Sequence, residues 1–237
     1  MPDPEPTIVL VHGAFADSSS WNGVIERLGA AYNVVAAANP LRSVAGDAAY
    51  VRDVARGTGG PVVLVGHSYG GMVITQAAAG ETSVRALVYV NAFAPDTGES
   101  GLSLSGKFPG STLADTLVQY PLSSGGNEMA IGQDAYHGQF AADSSADVAA
   151  LMARTQRPIT EQALGDGLTG DPAWRSLPSW FVFGDADKNI PAAAHRFMAE
   201  RAAPRGQREV VGGSHAMTVA RPGEVAESII EAVRATS

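Results

Sequence analysis

Val62-Val63-Leu64-Val65-Gly66-His67-Ser68-Tyr69-Gly70-Gly71 is the stretch on which the reading of this chain turns. An aliphatic run leads into Gly-x-Ser-x-Gly, and Met72-Val73-Ile74-Thr75-Gln76-Ala77-Ala78-Ala79 follows with a helical pattern. Strand, sharp turn and helix together form the context that lifts a serine hydroxyl clear of a sheet edge. Gly66 and Gly70 suit that turn, because a side chain at either place would strike the neighbouring strand or helix. Such turns often hold the serine in a strained backbone conformation. Gly-x-Ser-x-Gly alone means little in a chain with 27 Gly, and the flanking strand and helix give it its weight.

Outward from this stretch the chain alternates. Thr7-Ile8-Val9-Leu10-Val11 is a continuous apolar run and reads as a fully buried parallel strand. His12-Gly13-Ala14-Phe15 follows its C-terminal end. Asp17 to Ser20 offer N-caps for a helix that carries Trp21, Val24, Ile25 and Leu28 on one face. Residues 33–38 read as a second strand, residues 43–56 as a helix and residues 84–90 as a fourth strand. The same rhythm returns with Trp180-Phe181-Val182-Phe183, a helix starting at Pro191, a short strand over 207–211 and a closing helix over 222–235. Alternating strands and helices imply a mostly parallel, doubly wound α/β sheet. Between residues 96 and 178 no strong strand run appears. Helical periodicity is read in Leu113-Leu117-Tyr120, in residues 129–140 and in Val148-Leu151-Met152. The chain is therefore divided into a core, residues 1–95 and 179–237, and a helical cap insertion, residues 96–178, placed between two late strands.

Composition narrows the function. The chain has 237 residues, 45% of them hydrophobic, which is enough for a sizeable core. Its net charge of −8 argues against nucleic acid or an anionic membrane as a partner. With no cysteine, disulfides, thiolate metal sites and a cysteine nucleophile are excluded. Met1-Pro2-Asp3-Pro4-Glu5-Pro6 is acidic and proline-rich rather than a basic segment before an apolar run. No segment reads as a signal peptide or a membrane span, so a cytoplasmic location is expected, as monomer or homodimer.

Three polar residues fall at the C-terminal ends of strands, the edge where open α/β sheets bind ligands: Ser68, Asp187 and His215. Serine, acid, histidine is also the chain order of a known nucleophilic triad. A serine hydroxyl needs a base, which His215 would supply from its glycine-rich loop, and a carboxylate would orient that imidazole. Asp187 is the preferred acid, with Asp185 and Asp96 as alternatives. The oxyanion hole would use the backbone N–H groups of Tyr69 and Ala14, with Phe15 as another candidate. Of the other histidines, His12 is expected to brace its loop and His67 to pack in the elbow. His137 and His195 are expected to face solvent. Apolar cap residues, Leu104, Phe108, Met129, Phe140, Leu151 and Met152, point to a partly apolar substrate, with Phe15, Met129 and Phe140 as its expected contacts.

On these motifs the chain resembles the α/β-hydrolase superfamily over nearly its whole length. The matching pieces are Val11-His12-Gly13-Ala14, the Ser68 elbow, Gly184-Asp185-Ala186-Asp187 with Ile190-Pro191, and Gly213-Ser214-His215. Trp21 and Asn91-Ala92-Phe93-Ala94-Pro95-Asp96 look like the branch of small plant-type esterases and hydroxynitrile lyases. The resemblance implies a cofactor-free serine hydrolase with a helical cap. By it, the chain starts at what is usually the third strand, and the N-terminal hairpin of larger members is expected to be absent. Hydroxynitrile lyases of that branch carry a threonine after the first-loop histidine and a lysine beside the catalytic one. Here Gly13 and Ala216-Met217 stand in those places, so hydrolysis of a small-molecule carboxylic ester is the expectation. A lactonase, amidase, C–C hydrolase or perhydrolase would use the same triad. A non-catalytic small-molecule receptor is the reading from another class.

Overall fold

The computed structural model describes residues 5–236; the start of the acidic N-terminal stretch, residues 1–4, and residue 237 lie outside the described residues. The elements run β1 (Thr7–Val11), α1 (Asn22–Leu28), β2 (Val34–Ala37), α2 (Val44–Gly57), β3 (Val62–His67), α3 (Gly70–Ala77) and β4 (Val84–Val90). Then come α4 (Gly101–Ser105), β5 (Leu117–Pro121), β6 (Asn127–Ile131), α5 (Gln133–Phe140), α6 (Ala146–Thr155), β7 (Ile159–Thr160) and α7 (Glu161–Gly165). The chain closes with β8 (Ser179–Gly184), α8 (Ala192–Ala202), β9 (Gly206–Val210), α9 (Met217–Ala220) and α10 (Pro222–Thr236).

Six strands form one sheet in the order β2-β1-β3-β4-β8-β9, every pairing parallel. Their side chains alternate between two faces. Val9, Val11, Leu64, Leu87, Tyr89 and Phe181 join one core cluster; Ile8, Leu10, Val63, Val65, Val88 and Val182 join the other. Val44, Ala48 and Val51 of α2 and Met198 of α8 cover the first face. Trp21, Val24 and Leu28 with Val225, Ile229 and Val233 of α10 cover the second. Both faces are sealed over β1, β3, β4 and β8, which is why these four strands are buried nearly throughout and read as largely apolar runs.

The topology puts a crevice at one place. From β1 the chain crosses to β2 on one side, and then returns to lay β3 on the other side of β1. The loops leaving β1 and β3 therefore flank a point where the strand order reverses, the position at which such sheets bind ligands. Here the backbones approach closely. A Cβ on Gly13 would stand 2.6 Å from the Cβ of Ser68, one on Gly70 2.4 Å from the carbonyl oxygen of Val11, and one on Gly71 2.1 Å from that of Phe93.

The segment between β4 and β8 departs from the sequence reading. It holds four helices, as an insertion rich in helix should, but also a three-stranded antiparallel sheet, β5-β6-β7. Met129 lies on β6 rather than on a helix, and Leu117 to Pro121 are strand, not helix. The cause is local ambiguity. Leu117 and Val118 start a strand that is largely exposed along its length, so no clean alternation marks it. The hairpin signal was present in Gly125 and Gly126, both at positive φ in the connecting turn.

The close approach at Gly71 leads to a stability test. An equilibrium urea titration should find Gly71→Ala destabilised by about 1–3 kcal/mol, since a backbone carbonyl cannot move aside cheaply. Gly138→Ala, in α5 with nothing within 4 Å of the added Cβ, should be neutral or gain up to about 1 kcal/mol.

Candidate active site

Ser68 sits at the turn from β3 into α3 with a φ of 54°, the left-handed region that costs a non-glycine residue energy. The backbone N–H of Tyr69, next in the chain, has no acceptor within the described residues, and neither has that of Ala14. Both residues line the same cavity as Ser68. The structure corrects one expectation: the Phe15 N–H is not free. It donates to the carbonyl of Arg157 (3.0 Å), and the Phe15 carbonyl accepts from the Tyr136 hydroxyl (2.6 Å). The Phe15 backbone, itself at a φ of 61°, is held from both sides by the segment between β4 and β8, and Phe15 lines the cavity.

Asp187 follows β8 and is the carboxylate that meets His215. His215 Nδ1–H donates to Asp187 Oδ2 at 2.7 Å. Asp185 instead accepts from the Gly212 N–H, and Asp96 pairs with Arg175 at the surface. The Asp187 side chain is fully buried and takes four donors. Oδ1 accepts the backbone N–H groups of Asn189 (2.8 Å) and Ile190 (3.0 Å), and Oδ2 accepts His215 and also His195 Nε2–H (3.1 Å). Burial alone would raise this carboxyl. The electrostatic pull of His215 and the hydrogen bonds from both imidazoles outweigh it and hold Asp187 well below the usual carboxylate range. An ionised carboxylate only accepts, so both histidines must present N–H to it.

That arrangement leaves His215 Nε2 as the free ring nitrogen. It is buried and has no hydrogen-bond partner, so it does not bond the Ser68 hydroxyl in this structure. The His215 ring is wedged between His67, whose centroid lies 4.9 Å away, and the edge of Phe140 at 4.8 Å. His67 Nε2–H donates to the His215 carbonyl (2.9 Å), which ties the elbow to the histidine loop. Burial first, and His215 second, push His67 down to about 3, so that ring is neutral.

Several residues fall elsewhere than the sequence reading put them. Phe140 does not line the cavity; it is buried against His215, Tyr136 and His67. Met129 packs in the core, its sulfur accepting from the Gln119 amide. His195 is buried, 1% exposed, rather than solvent-facing, and stacks on Phe183 at 5.1 Å. A signal for this existed: His195, Met198 and Ala199 are three and four apart and share the buried face of α8. His137 is half-buried, with its ring bonded to the Ser144 carbonyl. Asn91 went unassigned. At a φ of 41° at the end of β4, its Nδ2 donates to the carbonyls of Ser214 (2.7 Å) and His215 (3.1 Å), and its Oδ1 accepts the Gly184 N–H (2.7 Å).

The cavity beside Ser68 has a volume of about 310 Å³. Phe93, Leu102, Phe108, Leu113 and Leu164 form much of its wall, and no charged side chain lines it. Among the described residues, no group of three or more His, Cys, Asp or Glu could hold a metal ion, and no helix is long and apolar enough to cross a membrane.

Comparisons place this geometry among known proteins. Residues 8–228 match the model of the alpha/beta hydrolase family. The fold is similar to that of polyneuridine aldehyde esterase, at 20% identity and a TM-score of 0.80, over 96% of this chain and 99% of that one. A pyrethroid hydrolase from Sphingobium faniae JZ-2 superposes at 19% identity and a TM-score of 0.76, over 97% and 98% of the two chains. A methylesterase from Arabidopsis does so at 16% and 0.80, over 97% and 99%. At those identities the likeness is one of fold. A carbendazim-hydrolyzing esterase of Nocardioides sp. (strain SG-4G) is 54% identical over 44 residues, so the match spans 18% of this chain and 18% of that protein.

The two-imidazole arrangement has a spectroscopic consequence. Proton NMR should show two exchange-protected imidazole N–H resonances far downfield, one from each histidine bonded to Asp187. His195→Phe should remove one and shift the other. A single such resonance in the unaltered protein would contradict the shared carboxylate.

Proposed function

From its membership of the alpha/beta hydrolase family, to which this chain belongs, we propose that it is a serine hydrolase of small, uncharged, partly apolar carboxylic esters. In this reading residues 96–178 are its cap. One observation carries the proposal. A serine at positive φ opens onto an apolar cavity, and the loop after β9 carries an imidazole that is bonded to a buried carboxylate through one nitrogen and bare at the other. That is the pairing of poor nucleophile and oriented base which acyl transfer requires.

The steps follow from the groups present. Ser68 Oγ attacks the acyl carbon while His215 Nε2 takes its proton. Asp187, held ionised, keeps the Nδ1–H tautomer and stabilises the imidazolium. The carbonyl oxygen gathers negative charge facing the unpaired N–H groups of Ala14 and Tyr69. His215 then gives the proton to the departing alcohol oxygen, and the acyl group remains on Ser68. Water, deprotonated by the same nitrogen, attacks that ester, and Ser68 leaves with the proton, releasing the acid. In this reading Ser68 Oγ and His215 Nε2 meet when substrate is bound, as such contacts commonly close only then. Neighbours of this fold that carry the names esterase and hydrolase support ester cleavage as the reaction.

The test is direct. Ser68→Ala should lower kcat on p-nitrophenyl butyrate by at least about 10³-fold with an unchanged melting temperature, in line with the loss of a triad nucleophile. A fluorophosphonate should label the unaltered protein at Ser68. Turnover that survives the substitution would defeat the mechanism, and a Ser68 that resists labelling would favour a receptor on this fold.

A further inference from the structure

One group on the cavity wall has no task in the steps above. Asn189 lines the cavity and is 3% exposed. Its backbone N–H donates to Asp187, and its carbonyl accepts from the Ser111 hydroxyl (2.9 Å). Its side-chain orientation is settled by a chain of obligatory roles. The Lys188 carbonyl can only accept, so the Gln139 atom 3.0 Å from it is Nε2. That same Nε2 donates to Asn189 at 2.8 Å, so the Asn189 atom it meets is Oδ1. The Thr112 hydroxyl closes the chain by donating to Gln139 Oε1 (2.8 Å). Every polar atom of Asn189 is thereby engaged except Nδ2. That amide has no partner among the described residues, and unlike the sealed orphans of the core it keeps access to open space.

We infer that Asn189 is a specificity-determining contact of this cavity, donating through Nδ2 to a neutral acceptor oxygen, a ketone or ether, on an otherwise apolar ester. A substrate that fills the cavity shuts this N–H off from water, so one that supplies an acceptor gains over one that leaves it unpaired. The absence of any charged side chain on the wall makes the acceptor a neutral one. A carboxylate there would lose its hydration and meet no cation. Gln139 and Thr112, both from the cap, hold the amide in place, so the donor is positioned before substrate arrives. The reacting group rests on the ester-hydrolase reading; the contact with Asn189 does not.

Three esters of similar length separate the possibilities: p-nitrophenyl levulinate, which carries a ketone; p-nitrophenyl valerate, which has a methylene in its place; and mono-p-nitrophenyl glutarate, which is anionic. After subtraction of uncatalysed hydrolysis, kcat/KM for levulinate should exceed that for valerate by about tenfold, the scale of one neutral hydrogen bond in a buried site. Glutarate should be the poorest. In Asn189→Leu the levulinate-to-valerate ratio should fall to about one. Asn189→Asp keeps the acceptor that Gln139 uses, and the ratio should be lost there too, which covers the case of a leucine variant that misfolds. Ser105→Ala, which removes the half-buried cavity hydroxyl on α4, should leave the ratio intact. A ratio near one in the unaltered protein, a ratio that survives both Asn189 variants, one that collapses in Ser105→Ala, or glutarate as the best substrate would each overturn the inference. The same ratios read as Kd by calorimetry on the Ser68→Ala protein keep the two readings apart. If no ester is turned over, ester hydrolysis fails, and the binding ratios still decide the role of Asn189.

Discussion

A single buried carboxylate organises the functional end of this molecule. Asp187 is enclosed without contact with water and takes two imidazole and two backbone donors. A charge in that position is tolerable only because each lone pair is met. Its two oxygens do separate work. Oδ1 fixes the loop that carries Asn189 and Ile190. Oδ2 sets the tautomer of His215 and fixes the end of α8 through His195. Remove the charge, and the histidine loop, the helix and the cavity wall all lose the same anchor.

The segment between β4 and β8 reaches three of the loops that leave the sheet at this edge, those after β1, β8 and β9. Arg157 and Tyr136 hold the backbone of Phe15 beside the expected oxyanion donor Ala14. The Phe140 carbonyl accepts the Ala216 N–H, and the Phe140 ring braces His215. Gln139 pins the loop after Asp187. Asn91 works from below, bonding the histidine loop and the start of the acid loop to the end of β4. Positive φ values at Phe15, Ser68 and Asn91 mark the strain these contacts must hold. Backbone strain collected at one sheet edge, and over-determined by neighbours from distant parts of the chain, is the mark of a site rather than of a scaffold.

The core was legible because its signals are local. Five largely apolar runs and one short polar one, each followed by small or polar residues, are the six parallel strands, and the serine after the third falls where a sharp turn demands glycines. Where reading by pattern fell short, a local signal was ambiguous or a long-range contact decided. Residues 117–131 carry too little alternation to declare a strand, since one of the two is mostly exposed. His195 is buried rather than solvent-facing, as its spacing to Met198 and Ala199 on the buried face of its helix implies. Hydrophobicity, the signal that points Phe140 and Met129 toward substrate, fits a core or a brace equally well.

By itself, then, the amino-acid order determined the alternation of elements, the position of the elbow and the candidate serine, acid and histidine. These follow from periodicities and turn chemistry that act over a few residues. Only the tertiary structure decided which aspartate meets His215, that a second imidazole shares it, that the Phe15 N–H is already bonded to the Arg157 carbonyl and that the side-chain amide nitrogen of Asn189 is left free. Each of those depends on which groups, separated by up to some hundred and forty residues, share one water-excluding volume, and hydrogen-bond partners there are assigned by proximity and by the need to satisfy every buried donor and acceptor.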